Sequence, residues 1–79
     1  MANVDAKETK PLVVRQLLRE RNWTLERLGR ALDVSMQRAH ALLQPGTRPQ
    51  DRTVDRIAAI LGVNFARLVD DEGRWREES

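Results

Sequence analysis

The apolar residues of this chain fall into five short stretches with helical spacing, and each stretch is bounded by a helix-start or helix-stop residue. Thr24 and Ser35 are of the type that caps a helix start, whereas Gly62 is of the type that ends a helix. Pro45 and Gly46 stop a further stretch. Helices this short are not stable alone in water, so all five stretches must share one core.

The pattern predicts an all-α fold, a compact bundle of about five short helices. The first helix is expected to open at Pro11, and Asp33 is expected to end the second helix in a left-handed conformation. N-caps of the four later helices are expected at Thr24, Ser35, Asp51 and Asn64. The third helix is expected to bury Ala39, Leu42 and Leu43. The shared core is expected to contain Val14, Leu17, Leu18, Leu28, Leu32, Val34, Ala39, Leu42, Val54, Ile57, Leu61, Phe65 and Leu68.

Charge is distributed unevenly along the 79 residues. Residues 11–69 carry ten arginines against five acids, a net of +5, whereas residues 70–79 carry five acids against two arginines, a net of −3. We therefore divide the chain into a flexible N-terminal arm (1–10), a basic helical domain (11–69) and an acidic C-terminal tail (70–79). A small basic domain suits a polyanion such as nucleic acid.

The composition argues against several other classes of protein. The chain has no cysteine, which removes disulfides, cysteine zinc sites and a thiol nucleophile and is compatible with a reducing cytosol. Its apolar runs are too short to span a membrane. His40 is a lone histidine, so we expect no metal site, no catalytic residue, no cofactor and no enzyme activity. A soluble cytoplasmic protein is expected.

The run "WTLERLGRALDVSMQRAHALLQPGTRP" resembles the helix-turn-helix of phage repressors, Cro proteins and Xre-type regulators. Gly29 stands where that family usually has alanine, and Asp33 replaces the turn glycine. The later run "DRTVDRIAAILGVNFARLVD" is similar to the family's following segment. The resemblance covers about residues 12–70 and implies a lambda-repressor-like fold. The family's pattern is matched at Thr24, Leu28, Leu32, Val34, Ser35 and Pro49.

The resemblance implies that the third helix, residues 36–44, lies in the major groove of DNA. Gln37 can form a bidentate pair with adenine, and the apolar Met36 and Ala41 can touch a thymine methyl group. The base-contacting residues implied are Met36, Gln37, His40 and Ala41. The phosphate-contacting residues implied are Thr24, Ser35, Arg38 and Arg48.

The resemblance implies a sequence-specific transcriptional regulator, expected to be a repressor, that binds double-stranded DNA as a homodimer. An alternative is a protein-interaction adaptor or antitoxin-like module on the same scaffold. The apolar Met36 and Ala41 favour that alternative, as do Leu25 in place of a frequent glutamine and the acidic tail with Trp75. A non-specific nucleoid protein is a third alternative, although such proteins carry denser lysine and arginine.

The acidic tail has no apolar stripe, so we expect it to lie outside the fold and to compete with DNA for the basic domain. Trp75 allows other roles for this tail. It is either idle, or it anchors the tail to a partner protein or to a second copy of the chain.

Overall fold

The computed structural model describes residues 11–78, and the expected N-terminal arm (1–10) lies outside the described residues. The helices are α1 (Val13–Glu20), α2 (Leu25–Leu32), α3 (Met36–Leu42), α4 (Asp51–Leu61) and α5 (Phe65–Leu68). The predicted all-α fold of five short helices is confirmed, and extended pairing within residues 11–78 is limited to two isolated bridges. None of the described helices has the length and apolar composition needed to cross a membrane.

Local capping chemistry sets the starts of α2 and α3. The Thr24 hydroxyl oxygen accepts a hydrogen bond from the backbone N–H of Arg27 at 3.1 Å. The Ser35 hydroxyl oxygen accepts one from the backbone N–H of Arg38 at 3.0 Å. Each cap satisfies one of the N–H groups that a helix start leaves without a partner, so both predicted caps are confirmed.

Two helices end at residues in the left-handed conformation, as expected. Asp33 has φ 63° at the end of α2, and Gly62 has φ 72° at the end of α4. Asparagine and aspartate tolerate this conformation better than most other non-glycine residues. The tight turn from α2 into α3 therefore forms without glycine.

Two predicted helix starts are displaced by one or two residues. Leu12 is the N-cap of α1, so Pro11 precedes the helix. Gln50 is the N-cap of α4, and Asp51 is the first helical residue. A carboxylate in the first turn still favours the helix through its dipole, so Asp51 fits the sequence pattern at the first helical position as well as at the N-cap.

The core contains most of the residues expected there, with three corrections around α3 and α5. Val34 in the turn and Phe65 at the start of α5 are each 36% exposed. Leu42 is only partly buried, whereas Leu43 is fully buried because it points inward just after the end of α3. The buried apolar residues are Leu12, Val14, Leu17, Leu18, Leu28, Leu32, Ala39, Leu43, Val54, Ile57, Ala58, Leu61, Leu68, Val69 and Trp75.

The C-terminal segment, residues 70–78, packs against the helices. Trp75 is 3% exposed and belongs to the core. The Trp75 backbone pairs with that of Val69 in one antiparallel bridge, and the Glu77 backbone pairs with that of Leu12 in the other. The expectation that this segment lies outside the fold is therefore wrong for residues 70–78. One buried tryptophan and backbone pairing hold it, and neither produces an apolar stripe in the sequence.

Backbone groups of this segment serve helix ends elsewhere in the domain. The Val13 N–H, at the start of α1, donates to the Arg76 carbonyl at 2.9 Å. The Arg76 N–H donates to the Leu68 carbonyl, at the end of α5, at 2.8 Å. Helix ends leave such groups without partners inside the helix. The segment thus ties the first helix to the last.

A turn at Asp70 reverses the chain into this segment. The Asp70 carboxylate accepts hydrogen bonds from the backbone N–H groups of Arg74, at 3.1 Å, and Glu72, at 2.9 Å. The Arg74 N–H is the main cause that holds the pKa of Asp70 below its ordinary value, with the Glu72 N–H adding to it against the opposing effect of desolvation. The Asp70 carboxylate therefore shapes the turn.

Candidate nucleic-acid interface

Helix α3 presents most of its residues to solvent. Ala39 is its only fully buried residue, and Met36 at its start is 53% exposed. A seven-residue helix that buries so little is held mainly by its neighbours and its caps. Its exposed residues are Met36, Gln37, Arg38, His40 and Ala41.

The turn before α3 lies close against α2. A Cβ atom built on Gly29 would lie 2.8 Å from the carbonyl oxygen of Val34 and 3.2 Å from that of Ser35. The Val34 N–H also donates to the Gly29 carbonyl at 2.8 Å. Glycine therefore allows a backbone approach that sets the position of α3 relative to α2.

A basic groove runs beside α3, between the end of α2, the loop at residues 47–50 and the first half of α4. Asp33 is the one acid among the residues that line it. Within residues 11–78, no carboxylate forms an ion pair with the arginines of this groove. Arginine without an acidic partner is well suited to bind phosphate. The groove arginines are Arg38, Arg48, Arg52 and Arg56.

Several arginines away from the groove have partners within the protein. Arg30 forms an ion pair with Glu26, one turn earlier on α2, at 3.0 Å. The guanidinium of Arg27 lies 4.0 Å from the ring centre of Trp23, which is half-buried. These side chains are engaged in local interactions, whereas the groove arginines form no ion pair within residues 11–78.

The structure brings together part of the predicted site. Arg38, Ala41 and Arg48 all line the groove, which joins α3 to the loop that follows it. The remaining predicted base-contacting residues are exposed on the same helix: Met36, Gln37 and His40. Every side chain predicted to meet a base is therefore accessible from solvent.

The two predicted hydroxyl contacts lie at helix starts. Thr24 is exposed at the start of α2 and Ser35 at the start of α3, and neither is among the residues that line the groove. Their oxygens accept the capping hydrogen bonds, so each hydroxyl hydrogen is still available to donate to a phosphate oxygen. Capping and phosphate contact are compatible at both positions.

His40 interacts with Gln44 one turn later. The Gln44 amide nitrogen donates to the His40 backbone carbonyl at 3.0 Å and lies 3.3 Å from Nδ1 of the ring. This leaves Nε2 as the ring atom available to an external partner. Among residues 11–78, no three His, Cys, Asp or Glu side chains are placed to hold a metal ion.

Sequence reasoning missed two arginines of the groove, Arg52 and Arg56. Both lie on α4, four residues apart, and residues with this spacing share one helix face. Arg48 precedes them by the same interval in the loop. This recurrence at every fourth position was the signal that could have found them.

Together, α2, the tight turn at Asp33 and the exposed α3 beside a basic groove define a helix-turn-helix DNA-binding domain. The family of Cro/C1-type HTH DNA-binding domains matches residues 13–73, and the chain belongs to this family. The match runs from α1 into the turn after α5 and ends before Trp75. Neither a curated protein nor a solved structure matches the chain.

Proposed function

We propose that this DNA-binding protein is a transcriptional regulator, acting in the cytoplasm as a repressor, that places α3 in the major groove. The observation that supports this proposal is the exposed start of α3 beside four arginines without acidic partners. Gln37 offers an amide that pairs with adenine, and Met36 and Ala41 offer apolar contacts for thymine methyl groups. His40 offers Nε2 to a base edge or a phosphate. A domain bound at a promoter excludes polymerase by occupying the site.

Phosphate contacts around α3 would fix the domain on the duplex. Arg38 and Arg48 line the groove, and Arg52 and Arg56 continue it along α4. Thr24 and Ser35 supply hydroxyl donors at the starts of α2 and α3. Contacts of this kind set register and orientation, while the base edges supply the sequence preference.

We infer that the protein binds DNA as a homodimer. Helix α3 has seven residues and is therefore about 10 Å long, which covers roughly three base pairs. One such helix offers few base contacts, whereas a two-fold pair doubles the site and separates the two helices by about one DNA turn.

Selection of bound duplexes from random DNA with the full chain tests this proposal. We expect an enriched motif made of two related half-sites whose centres lie about 10 base pairs apart. Binding without an enriched motif but with a steep salt dependence would identify a non-specific nucleoid protein instead. Absence of binding at low salt would favour the adaptor alternative.

Two features that favoured the adaptor have structural roles inside the domain. Trp75 is buried in its own chain, so it is not available as an anchor for another protein. Leu25 packs against the core, so its replacement of a polar residue serves packing. The exposed Met36 and Ala41 still favour the adaptor, but the same side chains fit thymine methyl groups.

The Gln37→Ala variant is expected to lose preference at one base position. Alanine is a better helix former than glutamine, so α3 should be retained. Affinity for the selected site should fall by about 1–3 kcal/mol because the bidentate contact is lost, whereas affinity for unrelated DNA should not change. Identical selected motifs from the variant and the natural chain would contradict the proposed placement of Gln37.

Replacing Arg38 or Arg48 by glutamine is expected to weaken binding to all DNA sequences about equally. Each change removes one phosphate contact, so the slope of log affinity against log salt should fall by about one unit. Arg67→Gln is the matched control, because Arg67 is exposed on α5 and does not line the groove. A loss of preference at one base position alone would show that the arginine reads a base. An equal loss of affinity in the Arg67 control would show that the effect comes from net charge and not from a specific phosphate contact.

A further inference from the structure

The C-terminal end of α3 lacks the usual backbone partners for its last carbonyl groups. Pro45 has no N–H, and the Thr47 N–H donates to the Gln44 carbonyl. No backbone N–H from residues 11–78 donates to the carbonyls of Leu42 and Leu43. A helix end of this kind needs donors from elsewhere in the fold.

Two side chains distant in sequence supply these donors. The Trp75 indole N–H donates to the Leu42 carbonyl at 2.8 Å, across 33 positions of the chain. The Arg15 guanidinium Nε, on α1, donates to the Leu43 carbonyl at 2.9 Å, across 28 positions. Both hydrogen bonds are partly buried. We call this pair of side chains the α3 clamp.

We propose that Trp75 is a positioning residue for DNA recognition, which acts by holding the C-terminal end of α3 through the Leu42 carbonyl. This inference rests on the proposed role of α3 in the major groove. It adds a function for the C-terminal segment, since Trp75 lies beyond the residues that match the family.

The geometry of α3 explains why such a clamp matters. The start of the helix is fixed by the Ser35 cap and by the close approach at Gly29. Ala39 fixes its middle, and Leu42 and Leu43 pack its far end against the core. The carbonyls of Leu42 and Leu43 at this far end take their donors from the α3 clamp, so the angle at which α3 meets a base pair depends on Trp75 as well as on core packing. Base contacts require that angle to be well defined, whereas contacts from flexible arginines to phosphate tolerate its change.

The test removes only the indole N–H. In a chemically synthesised full chain, residue 75 is replaced by the benzothienyl analogue of tryptophan, which has sulfur in place of the N–H. Trp75→Phe serves as a second, recombinant variant. The same analogue at position 23 is the control, because the indole N–H of Trp23 makes no hydrogen bond within residues 11–78. Amide hydrogen exchange along the chain and affinity for selected and unrelated DNA are measured for each.

In the residue 75 analogue, we expect amide exchange in residues 39–44 to be faster than in the natural chain, with a smaller change in α4. Affinity for selected DNA should fall by about three- to tenfold, as the net effect of one hydrogen bond predicts. Affinity for unrelated DNA and the position 23 control should match the natural chain. Unchanged exchange in residues 39–44, or an equal loss on both DNA types, overturns the inference. Faster local exchange in a protein whose natural chain shows no DNA preference supports the clamp and instead rejects the proposed function.

Discussion

A chain that ends at residue 69 is expected to be largely unfolded at room temperature. Truncation at this point removes Trp75 from the core, and loss of a buried tryptophan side chain costs about 3–5 kcal/mol. It also leaves the Val13 N–H and the carbonyls of Leu42 and Leu68 without their partners, at about 1–3 kcal/mol for each group that stays buried. A domain of this size has a total stability of only about 4–12 kcal/mol.

Far-UV circular dichroism and urea unfolding of the truncated and full chains measure this effect. The control is the Asp71→Asn, Glu77→Gln double variant, which removes two exposed acidic groups but keeps Trp75. We expect this variant to unfold at the same urea concentration as the natural chain and to bind unrelated DNA more tightly, because less negative charge lies near the basic domain. A truncated chain with natural helix content and an unchanged urea midpoint would contradict the structural role of the segment.

Features of the fold that depend on residues close together in the sequence could be predicted from the sequence. The Thr24 and Ser35 caps involve backbone groups three residues away, so the residue type and the following apolar spacing are sufficient. Asp33 was predicted in the left-handed conformation for the same reason. Leu42 was expected in the core but is only partly buried, because α3 ends at this residue and the next side chain, Leu43, points inward.

Contacts between distant parts of the chain could not be predicted in this way. The Trp75–Leu42 hydrogen bond joins residues 33 positions apart and has no periodic signal. The groove presented a similar difficulty, since Arg52 and Arg56 belong to it only because α4 lies beside α3. Sequence reasoning placed candidate residues on the helix-turn-helix, whereas the fold determines which side chains share a surface with it.

Gly29→Ala is expected to destabilise the protein, although alanine favours a helix over glycine by about 1 kcal/mol. The new Cβ would lie 2.8 Å from the Val34 carbonyl oxygen and 3.2 Å from that of Ser35. Both are backbone atoms, so the whole turn between α2 and α3 must move to relieve the contact. Overpacking of this kind costs about 1–3 kcal/mol. The displaced turn carries α3 with it, so affinity for selected DNA should fall as well.

Urea unfolding measures whether Gly29→Ala raises or lowers the free energy of unfolding, which decides between helix propensity and close packing as the dominant effect. Ala31→Gly is the matched control, since Ala31 is exposed on α2 and its replacement changes propensity in the opposite direction. We expect this control to lose about 0.5–1 kcal/mol and to retain the DNA preference of the natural chain. If propensity alone governed position 29, Gly29→Ala would be more stable than the natural chain by a similar amount. A gain in stability with unchanged DNA affinity would therefore show that the turn has room for a methyl group, and that glycine is not required for the approach of α3 to α2.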